Sequence, residues 1–511
     1  MHEVELKLQV PASARAAVDA AVAGRTPARR LRLQAAYVDT PDAALARASL
    51  ALRVRREGGH WVQTLKGAGD DALTRFEHNV RVFARATGEP PPPDPALHRG
   101  TAVGDRLLAL LGHEGAAALG VRYRTDVLRR LRTLRSGGAA IELAFDTGVI
   151  RAGDDMAWPL CELELELVNG GAGERGGDPA ALIELARSWA RRHALWLDTR
   201  SKAERGELLA RGTRVAPART ARPVALTREM SAHAAWRTVL RECVGHISAN
   251  ASQIAAGELG DEHVHQLRVA LRRLRSAWQL FDFMPSDPAL TDAAATLFRA
   301  LGAARDQAVA AVTFTAELDR ASERIGLHAR ADAALSAPPD RSAVDPCTVV
   351  RGEATQMLLL DLIAASLEPD AAIDAGLDDE PLAERLARRL KRWHKRAAAD
   401  AVRYSELDDA QRHRLRKHIK RLRYAIEFSS GLFERKHVKR YLKPLRTLQE
   451  RLGAISDVLV AIEALRATPE RQARDWFALG WLSAHRAALI DQAAAALQAF
   501  AKTEGFWSAR R

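Results

Sequence analysis

The chain is 511 residues long, and its 77 lysines and arginines outnumber 64 aspartates and glutamates, leaving a formal charge of +13. Hydrophobic residues make up 47% and charged residues 28%. That balance excludes a largely disordered chain and, at this length, fits about two to four domains with cores of their own. The basic excess points to an anionic partner: nucleic acid, a membrane surface or a phosphate polymer.

Charges interrupt the opening residues Met1-His2-Glu3-Val4-Glu5-Leu6-Lys7, so no secretory signal is expected. To about residue 170 the dominant period is two. Glu3, Glu5 and Lys7 alternate with Val4, Leu6 and Leu8, and the same alternation runs through 52–55, 62–66, 77–83 and 141–145. It is plainest in Cys161-Glu162-Leu163-Glu164-Leu165-Glu166-Leu167. A period of two sets alternate side chains on opposite faces of a strand. Helices are expected at about 12–23, 103–111 and 178–194, and the proline run 90–93 reads as an extended loop. The tract 211–224, with Pro217 and Pro223 and few large apolar residues, predicts a linker between a domain over 1–210 and a second over 225–511.

Beyond the linker the period becomes helical almost to the end, with proline and glycine gathered in gaps such as 336–346 and 368–381. This predicts an all-α domain. The longest apolar stretch, around Met357–Leu367, is broken by Asp361 and too short to span a bilayer, so no membrane insertion is expected. The α half also repeats itself. His265, Arg268, Arg272, Arg273 and Arg275 are matched in spacing by His413, Arg416, Lys420, Arg421 and Arg423. Downstream, Leu301-Gly302-Ala303-Ala304-Arg305-Asp306 matches Leu452-Gly453-Ala454-Ile455-Ser456-Asp457. Two related helical bundles about a pseudo-twofold account for both matches. Cys161, Cys243 and Cys347 lie too far apart for a disulfide framework or a zinc-type pair, which predicts a reducing, cytoplasmic setting.

The rows of carboxylates in the first half are unusual, because like charges on one strand face repel. A single row reads as the polar outer face of a sheet. Several strands together read differently: Glu3/Glu5 and Glu162/Glu164/Glu166 are acidic, while Arg53/Arg55, Lys66, Arg75 and Arg129 are basic. Facing inward, they would line a charged lumen. Carboxylates suit the hard ions Mg²⁺ or Mn²⁺, and guanidinium and ammonium groups suit phosphate oxygens.

Glu3-Val4-Glu5-Leu6-Lys7 resembles the ExExK motif of CYTH domains, the triphosphate tunnel metalloenzymes. The resemblance continues in order through Leu52–Arg55, Thr64–Gly67, Arg75–Glu77, Thr125–Arg129, Ile141–Asp146, Cys161–Glu166 and Ser201-Lys202-Ala203. It implies an eight-stranded antiparallel tunnel barrel that cleaves a terminal phosphate from a triphosphate. By the same resemblance Glu3, Glu5, Glu162 and Glu164 are metal ligands, with Glu166 and Asp146 as further ones. Lys7, Arg53, Arg55, Lys66, Arg75, Arg129 and Lys202 bind phosphate, and Glu77 and Glu142 orient basic residues or water. Glu3, Glu5, Lys7, Lys66 and Glu77 then stand at the reaction centre. Which of Glu142 and Asp146 faces the metal is left open. Two-metal hydrolysis needs no Ser, Cys or His nucleophile. Inorganic triphosphate is the expected substrate; an organic triphosphatase and an adenylate cyclase are the alternatives within the family.

On a helical wheel of about 100° per residue, Arg268, Arg272 and Arg275 share an arc with His265, opposite Leu267, Leu271, Leu274, Trp278 and Phe281. His413, Arg416, Lys420 and Arg423 form a like row, joined by Lys417 and Tyr424 and backed by Leu415, Ile419, Leu422 and Ile426. Three readings stand: a groove for a linear polyanion, a solvated basic face, or a metal site drawing on His265, His413, Asp306 and Asp457. The doubled row, with Arg273 and Arg421, resembles the CHAD domain, which implies binding of inorganic polyphosphate and association with polyphosphate granules. Basic clusters at 391–396 and 435–440 extend that groove or are plain surface. The chain is thus expected to be a multidomain α+β protein that hydrolyses triphosphate and binds polyphosphate. Its rival from another class is a non-enzymatic polyphosphate- or nucleic-acid-binding protein.

Overall fold

The computed structural model describes residues 2–24, 28–69, 74–83, 89–112, 115–168, 178–302, 314–326, 345–367, 380–467 and 471–508. They form two compact units that alternate along the chain. One comprises Met1–Thr220, Val244–Leu267 and Pro346–Glu368; the other comprises Ala221–Cys243, Arg268–Asp345 and Pro369–Arg511.

The first unit is built on strands β1 (His2–Gln9), β2 (Arg29–Asp39), β3 (Leu50–Glu57), β4 (His60–Ala68), β5 (Thr74–Val82), β6 (Gly120–Ser136), β7 (Ala139–Ala152), β8 (Met156–Leu167) and β9 (Trp196–Leu197). They make one antiparallel sheet of nine strands in the order β5-β4-β3-β2-β6-β7-β8-β1-β9, and β1 also pairs with β5, closing the sheet on itself. Eight strands are implied by the resemblance; the ninth arises because two-residue β9 adds to β1 at Leu8 and Gln9. Helices α1 (Arg15–Ala23), α2 (Ala44–Arg47), α3 (Ala102–Leu111), α4 (Pro179–His193) and α5 (Lys202–Ala210) punctuate the strands.

Alternation sorts the side chains of this sheet. Leu6, Leu8, Ile141, Leu143, Phe145, Leu163, Leu165 and Leu167 lie on one face, each at most 3% exposed. Helix α4 packs on β1 and β8 there, and α1 on β6 and β7. Each such side chain contributes about 1.5–3 kcal/mol relative to exposure. Their polar neighbours are thereby turned to the enclosed face. That face is not charged throughout. Leu33, Ala35 and Tyr37 of β2, Tyr123 and Val127 of β6, Ile150 of β7, and Trp158 and Leu160 of β8 form an apolar cluster with Leu209 of α5. The expectation of a charged lumen in place of an apolar core holds for only part of the enclosed face, because α5 packs against the rest.

Local signals set the ends of α4 and α5. Asp178 caps α4 by accepting from Ala180 N at 2.9 Å, with Pro179 in the first turn. Ser201 and Glu204 form a capping box around the start of α5, Ser201 Oγ accepting from Glu204 N and Glu204 Oε2 from Ser201 N. Lys202 is therefore fixed as the first helical residue.

The rest of the described chain is helical: α6 (Ala232–Ala255), α7 (Asp261–Leu280), α8 (Pro288–Ala300), α9 (Thr315–Arg324), α10 (Pro346–Arg351), α11 (Glu353–Leu367), α12 (Leu382–Val402), α13 (Asp409–Ser429), α14 (Arg435–Ala467) and α15 (Ala473–Ala501). The ends of α6 and α7 nearest their shared turn belong to the first unit, and their remainders to the second. Leu271, Leu274, Leu415, Ile419, Leu422 and Ile426 are fully buried. The gaps expected at 336–346 and 368–381 fall mostly outside the described residues. Within the first unit Arg219, in the tract 211–224, is held to α6: Asn250 accepts from Arg219 N and donates to Arg219 O, at 3.2 and 2.9 Å. Among the described residues no helix is long and apolar enough to cross a membrane.

Candidate active site

The register of β1, β8 and β7 stacks the acidic residues in layers on the enclosed face. Glu5 pairs with Glu166, and Glu166 with Glu142; Lys7 pairs with Glu164; Gln9 pairs with Glu162, and Glu162 with Asp146. Arg129 of β6 is the partner of Asp146 on its other side. This register sets Asp146 and Glu142 in different layers. Carboxylate oxygens of Asp146, Glu162 and Glu164 lie within 4.8 Å of one another, while Glu142 stands two layers away beside Glu166. Burial pushes the Glu142 carboxyl up despite Arg129.

Cations converge on the same three carboxylates. Lys202 Nζ lies 2.7 Å from Asp146 and 2.8 Å from Glu164, and also meets Glu162. Arg129 binds Asp146 through two parallel contacts of 2.7 Å and reaches Glu164. Arg205, three residues beyond Lys202 on α5, pairs with Glu162. Gln9 Nε2 donates to Glu162 at 3.1 Å. Burial works against ionisation of Glu162, but Arg205 and Lys202 outweigh it and hold the carboxyl at about 2. Burial likewise opposes ionisation of Glu164, and Lys202 and Arg129 prevail, holding it well below the usual range. Burial opposes the charge on Lys202, yet Asp146, Glu162 and Glu164 raise its pKa above normal.

A second group of cations lines β3 and β4. Arg53 donates to Tyr37 Oη at 3.1 Å, Arg55 pairs with Glu57, and Lys66 pairs with Glu77. Asn79 Nδ2 donates to Glu77 at 2.7 Å and Thr64 Oγ1 to Asn79, so Glu77 is held in place beside Lys66. Burial and the neighbouring Arg53 push the Arg55 guanidinium down. Lys7, 5% exposed, is 4.0 Å from Glu5 and donates to Arg200 O at 3.4 Å. Glu3 and Arg75 are register partners across β1 and β5, and their side chains lie outside the described residues.

The structure thus brings together Lys7, Arg129, Asp146, Glu162, Glu164 and Lys202, with Lys66 paired to Glu77 on the neighbouring strands. Arg129 and Lys202, expected on phosphate, bind carboxylates. Gln9, Tyr37 and Arg205 were not foreseen. For Arg205 a signal existed, because its spacing from Lys202 puts both on one face of a helix.

In the second unit, Lys420 of α13 shows how the basic residues meet. Burial, then Arg416 of its own helix, then Arg272 of α7, lower its ammonium to about 7, against a weaker upward pull from Asp457. Arg268 donates to Gly302 O at 3.3 Å, and a Cβ added at Gly453 would lie 3.9 Å from Arg416 Nη2, so the matched arginines approach the matched glycines. Burial, Lys417 and Arg416 depress His413. Burial, then Arg396 and Arg275, lower Arg421. Arg423 is 3.2 Å from Glu427. Arg273 is only 4% exposed, pairs with Glu427 at 2.8 Å and lies 4.6 Å over the Phe428 ring. Asp306 lies outside the described residues. His265 is carried by the part of α7 that belongs to the first unit.

Comparison with known families divides the chain differently from the compact units, since the second match takes in Val244–Leu267 and Pro346–Glu368 of the first unit. The CYTH domain model matches residues 1–206 and the CHAD domain model matches 238–466. The chain carries a CYTH domain and a CHAD domain. Among its relatives, the inorganic triphosphatase of Haemophilus influenzae is 28% identical over 214 residues. That match covers 41% of this chain and 55% of the other, so the alignment spans about half the length of the relative. The CHAD domain of Ricinus communis is 32% identical and covers 55% of this chain and 96% of its own, with a TM-score of 0.46. A putative adenylyl cyclase from Hippeastrum, described as having a dominant triphosphatase activity, is 18% identical over 42% of this chain and 98% of its own, with a TM-score of 0.29. The carboxylate cluster therefore belongs to the CYTH half and the Arg272–Lys420 crowding to the CHAD half.

Proposed function

We propose that the CYTH half is a divalent-metal-dependent hydrolase acting on inorganic triphosphate, and that the CHAD half binds inorganic polyphosphate. One observation carries the first reading: a buried cluster of three carboxylates shares an enclosed face with Lys7, Arg53, Arg55, Lys66, Arg129 and Lys202. Acid alone would suit a structural cation, and base alone an anion. Their alternation on one face suits a polyanion together with its metal.

The donor set fits Mg²⁺ or Mn²⁺, since Asp146, Glu162 and Glu164 offer only hard oxygen ligands at short mutual distance. Glu5 and Glu166, adjacent in the β1–β8 register, extend the set. When bound, the ion lowers the pKa of an attacking water and offsets charge on the phosphoryl oxygens. The remaining work falls to the chain's own groups. Arg53, Arg55 and Lys66 neutralise phosphate oxygens, and Glu77 aims Lys66 through their ion pair. Lys7, held by Arg200 O, presents a cation beside the carboxylates. Fixed charges of this kind stabilise a transferring phosphoryl without reorganising. The Haemophilus relative, an inorganic triphosphatase, supports the substrate class.

The polyphosphate reading rests on Lys420 and Arg272, cations from the two matched sequence motifs that crowd one locus. Both readings are tested by phosphate release from inorganic triphosphate, ATP, thiamine triphosphate and long-chain polyphosphate. Glu162→Gln and Glu164→Gln serve as controls, with a pull-down on immobilised polyphosphate. Phosphate release from triphosphate should depend on added metal and fall about 10²–10³-fold in either variant. Cyclic AMP from ATP in place of released phosphate would replace the hydrolase with a cyclase. Full activity in both variants would remove the metal assignment.

A further inference from the structure

The segment Trp196–Arg200 joins strand β9 to helix α5 and so places Lys202 among the carboxylates. Beyond the β9–β1 pairing, it holds Lys7 at two points: Asp198 N donates to Lys7 O at 3.0 Å, and Arg200 O accepts from Lys7 Nζ at 3.4 Å. Asp198, fully buried, binds the Arg200 guanidinium through both oxygens at 3.0 and 2.9 Å. These contacts lie within the CYTH match. The other supports do not.

Leu197 N donates to Gln356 Oε1 at 2.8 Å, and Thr199 N donates to Ser252 Oγ at 3.0 Å. Arg200 Nη1 donates to Gln253 Oε1 at 3.2 Å and to Glu258 Oε2 at 3.4 Å. Ser252 and Gln253 are on α6, Glu258 follows it, and Gln356 is on α11; all four lie within the CHAD match yet in the same compact unit as the sheet. Ser252, Gln253 and Gln356 are 0, 1 and 2% exposed. A buried polar side chain costs stability unless its hydrogen bonds are made, and apolar residues would pack such a seam without that risk. Three of them meet one five-residue segment, each through a directional bond. Such bonds fix the path of the segment as apolar packing does not.

We infer that Ser252, Gln253 and Gln356, with Glu258 behind Arg200, are positioning residues for Lys7 and Lys202. The helical half of the chain is then a working part of the phosphate cage. This rests on the reading of that cage as a triphosphate site.

The test uses the full-length protein with Ser252→Ala, Gln356→Leu and, as rescue, Ser252→Thr, which keeps the hydroxyl. The control is Asn250→Ala: Asn250 is equally buried on α6 but holds only Arg219 and its own helix. Tripolyphosphate affinity is measured by calorimetry in metal-free buffer, beside melting temperature and the kcat and KM for triphosphate. Ser252→Ala and Gln356→Leu should weaken tripolyphosphate about 10- to 10²-fold, as expected for a cation displaced by about 1 Å. Ser252→Thr should recover most of the affinity, and Asn250→Ala should lose melting temperature while keeping affinity. Variants that lose affinity only as Asn250→Ala does, or not at all, overturn the positioning role. Wild-type protein that binds no tripolyphosphate overturns the cage reading beneath it.

Discussion

The Lys202 ammonium lies 2.7 Å from Asp146 Oδ2, so a basic side chain stands among the three carboxylates that could hold a metal ion. Lys202, Arg129 and Arg205 together balance Asp146, Glu162 and Glu164. Lys202→Met removes one positive charge from a buried network, which costs about 3–5 kcal/mol when a partner is left unpaired. A divalent ion can make good that charge. The melting temperature of Lys202→Met should therefore fall in metal-free buffer and rise more steeply with Mn²⁺ than that of wild type. Equal responses to Mn²⁺ in the two proteins would falsify the idea that Lys202 and the metal serve the same carboxylates.

Glu162 predicts a defined acid limb. Its carboxyl is held at about 2 in the folded protein, against an ordinary value near 4.5. A depressed carboxyl stabilises the fold at pH above the ordinary value, and that stabilisation drains away as pH falls through the interval from about 4.5 to about 2. Glu164 shifts in the same direction. Melting temperature followed from neutral pH downward should drop through this window, and Glu162→Gln should be less stable at neutral pH and flatter below it. An unchanged acid slope in Glu162→Gln would assign the acid limb to other groups.

Much of this site is legible in the sequence. The alternation from Cys161 to Leu167 leaves no freedom about which carboxylates share a face, because a strand has only two. It cannot rank Asp146 against Glu142, since both fall on the enclosed face of β7; only the pairing of Asp146 with Glu162 and of Glu142 with Glu166 separates them. Arg273 shows what a linear motif leaves out. It stands in the cationic motif of α7, but its wheel position lies about 80° from His265 on the side away from Arg268 and Arg272. There it meets Glu427 and Phe428 and is nearly buried. Ser252 and Gln356 carried no signal, because their partners are distant in sequence and a lone serine or glutamine in a helix has no pattern. The apolar end of the enclosed face was hidden for a related reason. Tyr37 and Trp158 share the strand period of their charged neighbours, and only the packing of α5 distinguishes them.

That packing makes Gly206 a sensitive position. A Cβ there would lie 2.2 Å from the Tyr123 ring, which stacks on Tyr37 with centroids 4.7 Å apart and is buried. The ring has no room to withdraw, so Gly206→Ala must displace α5 and with it Lys202 and Arg205. Overpacking of this kind costs about 1–3 kcal/mol. Chemical denaturation should show a lower midpoint with an unchanged slope, and phosphate release from triphosphate should fall further than the stability loss explains. A Gly206→Ala protein as active and as stable as wild type would mean that α5 does not set the cage.

In the CHAD half, the charge of Lys420 tests the proposed polyphosphate contact. Burial, Arg416 and Arg272 lower its ammonium from 10.5 to about 7, with Asp457 and Arg423 also facing it. The charged form is thus disfavoured in the ligand-free protein, a penalty present in full below about 7 and relieved as pH rises towards 10.5. Phosphate oxygens reverse the field, so binding a polyphosphate chain restores the pKa and draws in a proton. Affinity should fall as pH rises above about 7, by no more than about tenfold per pH unit for one linked proton. Lys420→Arg keeps its charge across that range and should bind with a flatter pH profile. Calorimetry of the full-length protein with polyphosphate, at about pH 6.5 and about pH 8.5 and in two buffers of different ionisation enthalpy, reads both the slope and the proton uptake. Parallel pH profiles for Lys420 and Lys420→Arg would remove Lys420 from the polyphosphate contact.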